Sequence, residues 1–204
     1  MEIKKYHDDR FDGLTNISCY KIRGNFIDNR GNPTKELLAF IMALKSQGSI
    51  FLTILNRIDG IDKLENVRDY LSKAHVNYIY FPRNKVRKIL GIIPVYTAPT
   101  IHCLFEDENV MEFLLDKFWY GCDRMDICIA KKESANEAHE MLSVKVEQGI
   151  KKMPSQDLSD FLNLCECLVL KMWDGKSIEI LAGSDIAGKL GKLVSSKDVP
   201  TVME

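Results

Sequence analysis

The chain lacks the features that would assign it to a membrane, to secretion or to a strongly charged partner. Its 204 residues hold no uninterrupted apolar run near the roughly 20 residues that a membrane-spanning helix needs. Its start, MEIKKYHDDR, has no apolar core of signal-peptide length. Lys and Arg (28) nearly balance Asp and Glu (29), so no global field attracts nucleic acid or anionic lipid. We therefore expect a cytoplasmic protein, and we expect neither membrane nor nucleic acid as its partner.

The six cysteines show no metal-site spacing. No Cys-x-x-Cys pair exists, whereas structural zinc usually requires two such pairs, or one pair with regularly spaced histidines. Cys165 and Cys167 stand closest, and apolar residues spaced by three and four from Leu158 to Met172 predict a helix of about sixteen residues that contains both. Residues two apart on a helix point in different directions, so we expect packed thiols. We expect no metal and no cofactor.

The chain also has no low-complexity linker, long charge block or internal repeat. Its hydrophobic share of 46% and charged share of 28% are those of a globular protein that buries a core. We expect residues 1–14 to be a polar arm or an edge strand and residues 15–194 to be a single domain. Residues 195–204 are expected to be a frayed tail.

Two short apolar runs predict the centre of the fold. Ser49–Asn56 is almost continuously apolar, and Val76–Phe81 is a second such run. Between them, Leu64, Val67 and Leu71 recur at helical spacing. A strand apolar on both faces is typical of a parallel sheet, and strand, helix, strand is a β-α-β crossover. We therefore predict an α/β fold with a mostly parallel sheet covered by helices, in two or three layers.

The segment Gly183–Lys189 has the glycine and lysine spacing of a phosphate-binding P-loop. Leu190, however, stands where that motif requires Ser or Thr to hold magnesium. The predicted strand before the segment is also the last of the chain rather than an early central one. We interpret the segment as a Gly-rich turn into a short terminal helix.

Three aspartates and one histidine are candidates for catalysis. Asp59 and Asp62 follow the predicted central strand, and with Asp126 they could hold a divalent cation for phosphoryl chemistry. Asp62 with Glu65 also has the form of a helix capping box, which favours a structural role. His102 lies in a predicted strand, where we expect a hydrogen-bonded structural histidine rather than a catalytic base. We therefore assign no catalytic residue.

Four of the six residues from Arg83 to Lys88 are basic: Arg83, Lys85, Arg87 and Lys88. They follow a predicted strand, and the segment Pro82–Gly91 is predicted to be a short helix with a basic face. A helix N-terminus presents unpaired N–H groups and partial positive charge, so it favours anions. A solvated helix face is the competing interpretation. We predict that these four residues bind an acidic protein surface or a phosphorylated small molecule.

These patterns lead us to expect a small intracellular binding or regulatory protein without catalytic activity. One alternative is a metal-dependent hydrolase or phosphotransfer enzyme, in which Asp59 and Asp62 take the metal while Arg83 and Lys85 clamp a phosphate. Another is an inhibitor-type protein, such as an immunity or antitoxin protein, that acts on a partner enzyme. The sequence alone does not separate the inhibitor from other binding proteins, because they differ only in the partner.

Overall fold

The computed structural model describes residues 1–9, 17–56, 61–82, 85–89, 93–96, 99–119, 124–145, 154–171, 176–183 and 186–195. The strands are β1 (Glu2–Tyr6), β2 (Ser18–Arg23), β3 (Ile50–Asn56), β4 (Asn77–Phe81), β5 (Lys85–Ile89), β6 (Ile93–Tyr96), β7 (Thr100–Phe105), β8 (Arg124–Ala130), β9 (Cys165–Lys171) and β10 (Ser177–Ala182). The helices are α1 (Lys35–Leu44), α2 (Ile61–Lys73), α3 (Glu108–Phe118), α4 (Ala135–Lys145), α5 (Ser155–Asn163) and α6 (Ile186–Ser195). Most of the tail that the sequence predicts to be frayed lies beyond the described residues.

Eight strands form one sheet in the order β1-β2-β10-β9-β8-β3-β7-β4. Every neighbouring pair in it is antiparallel. The prediction of a mostly parallel sheet is therefore wrong. β5 and β6 pair with each other in a separate two-stranded sheet, and both edges of the large sheet, β1 and β4, have a neighbouring strand on one side only.

The strand, helix and strand predicted around α2 do form, but a further strand separates the two predicted ones. β7 pairs with both β3 and β4 and is antiparallel to each, so β3 and β4 run in the same direction without touching. In the same way β3 lies between β7 and β8, which α3 connects. Helices α2 and α3 thus each join two parallel strands that have an antiparallel strand between them. This is the split β-α-β arrangement of ferredoxin-like folds.

Helices cover both faces of the sheet and make three layers. Helices α1, α2, α3 and α6 pack on one face, here called the α1 face, and α4 and α5 pack on the other, the α4 face. Along β3, Phe51 and Leu55 belong to the core under the α1 face, whereas Leu52 and Ile54 belong to the core under the α4 face. Cover on both sides, rather than parallel pairing, explains why β3 is almost continuously apolar. None of the helices in the described ranges has the length and apolar content that a bilayer crossing requires.

The long helix predicted through Cys165 and Cys167 is also wrong. Helix α5 ends at Asn163, and β9 begins at Cys165. Strand β9 contains both cysteines, and its apolar residues belong to the cores on both faces of the sheet. A run this apolar fits helical and strand periods equally well. The pairing of β9 with β8 shifts between Cys165 and Cys167, so Glu166 is an extra residue that forms a β-bulge.

Candidate functional site

The basic segment forms a strand, not the predicted helix. Lys85, Arg87 and Lys88 lie on β5, which pairs with β6, and Arg83 lies outside the described residues. The argument from unpaired N–H groups at a helix N-terminus therefore does not apply to this segment. That these four residues bind an acidic partner or a phosphorylated ligand stays a prediction.

The aspartates of the metal hypothesis are spread over different elements. Asp59 lies outside the described residues, and Asp62 lies inside α2, which begins at Ile61, so Asp62 is not the predicted N-cap. Asp126 is on β8 opposite Ile54, on the α4 face and only 9% exposed. In the described ranges, no group of three or more His, Cys, Asp or Glu side chains has an arrangement that could hold a metal ion.

Lys189, the lysine of the P-loop-like segment, belongs to a closed polar cluster. Its Nζ lies 2.6 Å from Glu166 Oε2 and donates to Ser46 Oγ and, at 3.3 Å, to the carbonyl oxygen of Leu44. Ser46 Oγ donates to Glu166 Oε2 at 2.8 Å, and Ser49 Oγ donates to Oε1. This Lys189 cluster ties α6 to β9 and to the loop after α1. The bulge at Glu166 aims its carboxylate into the cluster.

Hydrogen bonds in the Lys189 cluster keep Glu166 ionised. Burial by itself raises the pKa of Glu166, but the hydrogen bonds from Lys189, Ser49 and Ser46 outweigh it and hold that pKa below its ordinary value. The ammonium and the carboxylate thus satisfy each other at a partly buried position, where the Lys189 side chain is 38% exposed and that of Glu166 15%. A phosphate ligand at Lys189 would have to displace Glu166, which supports the structural interpretation of this lysine.

His102 is sealed inside the fold. It is 0% exposed on β7, and its ring centroid lies 4.8 Å from that of Phe81 and 5.7 Å from that of His139 on α4. Neither ring nitrogen has a hydrogen-bond partner among the described residues, unlike the hydrogen-bonded histidine that the sequence suggested. Burial, together with the nearby His139, lowers the pKa of His102 to about 3. Such an imidazole is neutral at pH 7 and too weak a base for efficient general-base catalysis.

A cleft of about 370 Å³ opens on the α4 face near the β1 end of the sheet. Lys4, Tyr6, Asp8, Lys21 and Glu179 line it among the described residues. We call it the β1 cleft. Helix α4 packs against β3 and helix α5 against β9, so the helices of this face cover the middle of the sheet. Lys4 and Lys21, which lie near its β1 edge, are exposed.

Strand register places three charged side chains of the β1 cleft in one row. Lys4 of β1 pairs with Lys21 of β2, and Lys21 pairs with Glu179 of β10. Adjacent strands are about 4.8 Å apart, so the backbones of Lys4 and Glu179 are about 10 Å apart across the sheet. Directly opposed residues share a face of the sheet, and their neighbours Ile22 and Ile178 belong to the core under the α1 face. All three charged side chains therefore project from the α4 face.

Tyr6 and Glu179 form the buried side of the β1 cleft. Glu179 is only 6% exposed, and the Tyr6 hydroxyl donates a hydrogen bond to Glu179 Oε1. Tyr6 lies on β1 opposite Cys19 of β2, so its side chain spans β2 to reach β10. Burial, followed by the hydrogen bond and the charge of Glu179, raises the pKa of Tyr6 far above its ordinary value. The hydroxyl therefore stays protonated and keeps lone pairs that can accept a further hydrogen bond.

The two lysines of the β1 cleft face each other across β1 and β2, and Lys21 also lies opposite Glu179 on β10. In the part of the chain that the structure describes, the side chains of Lys4 and Lys21 form no hydrogen bond and no ion pair. Like charges directly opposite on neighbouring strands repel, so the Lys4–Lys21 pair, taken by itself, is unfavourable in the unliganded protein. An anion placed between the two ammonium groups would remove the repulsion.

Sequence reasoning missed the β1 cleft because its residues come from strands at opposite ends of the chain. Alternation of Ile178 and Ile180 with Glu179 predicts a strand, which the structure contains as β10. No local pattern indicates that β10 pairs with β2, or that Tyr6 reaches Glu179. The alternation places Glu179 on the face opposite the isoleucines, but it does not indicate that Glu179 is buried or that Tyr6 donates to it.

Comparison with protein-family models, curated proteins and solved structures gave no match for this chain. The choice between sites therefore rests on geometry. The Lys189 cluster is internally satisfied, and His102 is closed to ligands. A second cleft of about 470 Å³ lies at the loop between β2 and α1, where Asp28 accepts the backbone N–H groups of Arg30 and Asn32 at 2.8 Å each. That carboxylate shapes its own turn, whereas the lysines of the β1 cleft point at open volume.

Proposed function

We propose that this chain is a cytoplasmic binding protein that holds a small anionic group, a carboxylate or a phosphate, between Lys4 and Lys21 in the β1 cleft. The observation that supports this function is the direct opposition of two exposed lysines on one face of the sheet, at the mouth of a cleft of about 370 Å³. Ammonium groups are point charges with several donors, and they suit carboxylate and phosphate oxygens.

Binding at this position has a clear electrostatic basis. Each lysine contact contributes about 0.2–1 kcal/mol if it stays exposed, and about 1.5–3 kcal/mol if the ligand excludes water from it. The ligand also removes the repulsion between Lys4 and Lys21, which the unliganded protein carries. Binding should weaken as salt is added, because exposed charges are screened over about 10 Å at 0.1 M salt.

The predicted surface for an acidic protein partner is separate from the β1 cleft. Lys85, Arg87 and Lys88 lie on the two-stranded β5–β6 sheet, outside the eight-stranded sheet that contains the cleft. A regulatory protein could use the cleft for a ligand and the basic strand for a partner. The absence of catalysis remains part of this proposal.

The proposed function is tested by screening small carboxylates and phosphates against the protein by calorimetry at low salt. Lys21→Met removes one ammonium and keeps an apolar stem of similar length. Lys5→Met is the matched control, because Lys5 lies next to Lys4 on β1 but on the opposite face, with its Nζ 5.9 Å from the ring of Tyr20. We expect Lys21→Met to weaken binding by about tenfold or more and Lys5→Met to leave it unchanged.

Two outcomes would contradict the proposed function. Either no carboxylate or phosphate of the panel binds the parent protein, or those that bind do so equally well to Lys21→Met. Equal loss in Lys21→Met and Lys5→Met would also count against it, since that result indicates a general effect of net charge rather than a site.

A further inference from the structure

The β1 cleft carries charge of both signs. Among the described lining residues, Lys4 and Lys21 are cationic, whereas Asp8 and Glu179 are anionic. The lysines occupy β1 and β2, and Glu179 lies one strand further into the sheet, on β10. A ligand with negative charge alone would be attracted at the lysine end and repelled at the carboxylate end.

The carboxylate end is also built to accept hydrogen bonds. The only proton of the Tyr6 hydroxyl is donated to Glu179, so the hydroxyl oxygen can act towards a ligand only as an acceptor. The charges of Glu179 and Asp8 both act on Tyr6, since both raise its pKa. An acceptor surrounded by negative charge favours a ligand group that is both cationic and a donor, and a primary ammonium is such a group.

The two ends are close enough for one small molecule. Lys21 and Glu179 are directly opposite on neighbouring strands, about 4.8 Å apart at the backbone. An amino acid carries its ammonium and carboxylate on the same carbon atom, and an aminoalkyl phosphate separates them by a few bonds. Either molecule is small relative to a cleft of about 370 Å³.

We infer that the β1 cleft binds a zwitterion of amino-acid size, with its carboxylate or phosphate between Lys4 and Lys21 and its primary ammonium at the oxygen of Tyr6, beside Glu179. This inference rests on the proposed function, since it requires the same lysine pair to hold the anionic group. It adds the second half of the ligand and explains why a site for an anion contains a buried carboxylate.

The test compares three probes for each of several amino acids, by calorimetry at low salt. The probes are the amino acid, the acid that lacks its amine and the amine that lacks its carboxylate. We expect the amino acid to bind at least about tenfold more tightly than either of its partial analogues. Aminoalkyl phosphates and inorganic phosphate form a parallel pair of probes.

Variants of the carboxylate end give a crossed result that a site for a plain anion would not give. Glu179→Gln keeps an acceptor for the Tyr6 hydroxyl but removes the negative charge. This variant should bind the amino acid about tenfold or more weakly than the parent does. It should bind the deaminated acid with the same affinity as the parent, or more tightly. Tyr6→Phe removes the acceptor oxygen, so it should also lower the affinity for the amino acid and leave the affinity for the deaminated acid unchanged. It keeps the test usable if Glu179→Gln does not fold.

The possible failures of the two proposals are distinguishable. If the deaminated acid or inorganic phosphate binds as tightly as the zwitterion and depends on Lys21, the zwitterion inference is overturned and the proposed function stands. If the zwitterion binds but Glu179→Gln and Tyr6→Phe both leave its affinity unchanged, the assignment of the ammonium position is overturned. If no probe binds in a way that depends on Lys21, both proposals fail.

Discussion

One row of residues crosses the α4 face of the sheet, and its polar side chains differ in burial and in charge. From β4 to β1 the row is Ile79, His102, Ile54, Asp126, Leu170, Glu179, Lys21 and Lys4. On β7, His102 is fully buried against His139 of α4 and is neutral at pH 7. At the β1 end, two exposed lysines flank an open cleft. Helix cover thus decides whether a polar residue of this face is a neutral core residue or a charged group available to a ligand.

Acid should lower the free energy of unfolding through the buried His102, and this is the largest effect that we expect. The pKa of His102 is about 3 in the folded protein, against about 6.5 in an unfolded chain. Between these two values the unfolded chain binds a proton that the folded protein does not, so the free energy of unfolding falls as the pH falls. Well above pH 6.5, His102 does not lower the free energy of unfolding. Below pH 6.5 it lowers the free energy of unfolding by about 1.4 kcal/mol per pH unit, which amounts to about 3 kcal/mol at pH 4.

The measurement is urea unfolding of the parent protein and of His102→Leu at pH 7, 5 and 4. The variant should lose less stability than the parent between pH 7 and pH 4, because it has no imidazole to protonate. His7→Gln is the control, since the side chain of His7 is 74% exposed, and it should follow the parent. Parallel pH profiles for the parent and His102→Leu would show that His102 is not the buried neutral group that we describe.

In the Lys189 cluster the largely buried carboxylate of Glu166 is paired with Lys189, so removing Lys189 should have an intermediate effect on stability. Lys189→Met leaves the carboxylate of Glu166, whose side chain is 15% exposed, with the two serine hydroxyls but without its cation. We expect a loss of about 1–2 kcal/mol in unfolding free energy, between the values for exposed and fully buried pairs. The loss should shrink as the pH falls through the lowered pKa of Glu166, because protonation removes the unpaired charge.

Lys73→Met is the matched control for the Lys189 cluster. Lys73 Nζ lies 2.7 Å from Asp69 Oδ2, nearly the distance of the Lys189 pair, but the two side chains are 75% and 62% exposed. Its removal should cost no more than about 0.5 kcal/mol. If the two variants lose equal stability in chemical unfolding at pH 7, burial does not distinguish the two ion pairs.

The smallest expected effect has the opposite sign and concerns the open end of the row. Lys4→Met removes the like charge that faces Lys21, so the unliganded protein should gain about 0.2–0.5 kcal/mol in unfolding free energy at low salt. The gain should vanish at high salt, because the repulsion is between exposed charges. Thermal or urea unfolding of Lys4→Met beside Lys5→Met measures it. A loss of stability in Lys4→Met that Lys5→Met does not share would mean that Lys4 has a structural role.

The sequence predicts the central elements well but not how they pair. The runs Ser49–Asn56 and Val76–Phe81 correspond closely to β3 (Ile50–Asn56) and β4 (Asn77–Phe81), with α2 between them. Periodicity identifies an element because it depends on residues a few positions apart. Pairing depends on residues far away: β7, which contains His102, inserts between β3 and β4 and makes the sheet antiparallel.

The same limit explains the errors at the candidate sites. Lys85–Ile89 becomes a strand because it pairs with Ile93–Tyr96, a stretch that contains Pro94. A proline is tolerated there because a two-stranded sheet leaves one side of each strand unpaired. The β1 cleft requires Tyr6 of β1 to meet Glu179 of β10 across β2, and no local pattern in the sequence contains that meeting.

The strand order also leads to an expectation about folding. The four strands β8-β3-β7-β4 all come from residues 50–130, whereas β2 (residues 18–23) must find β10 (residues 177–182) across most of the chain. Such long-range pairing must overcome its loop-closure entropy before its contacts form, which makes it slow relative to local pairing. We expect the four-stranded unit to form early and the pairing of β2 with β10 to form late. Because the β1 cleft needs both of those strands, the ability to bind a ligand is among the last properties that the folding chain acquires.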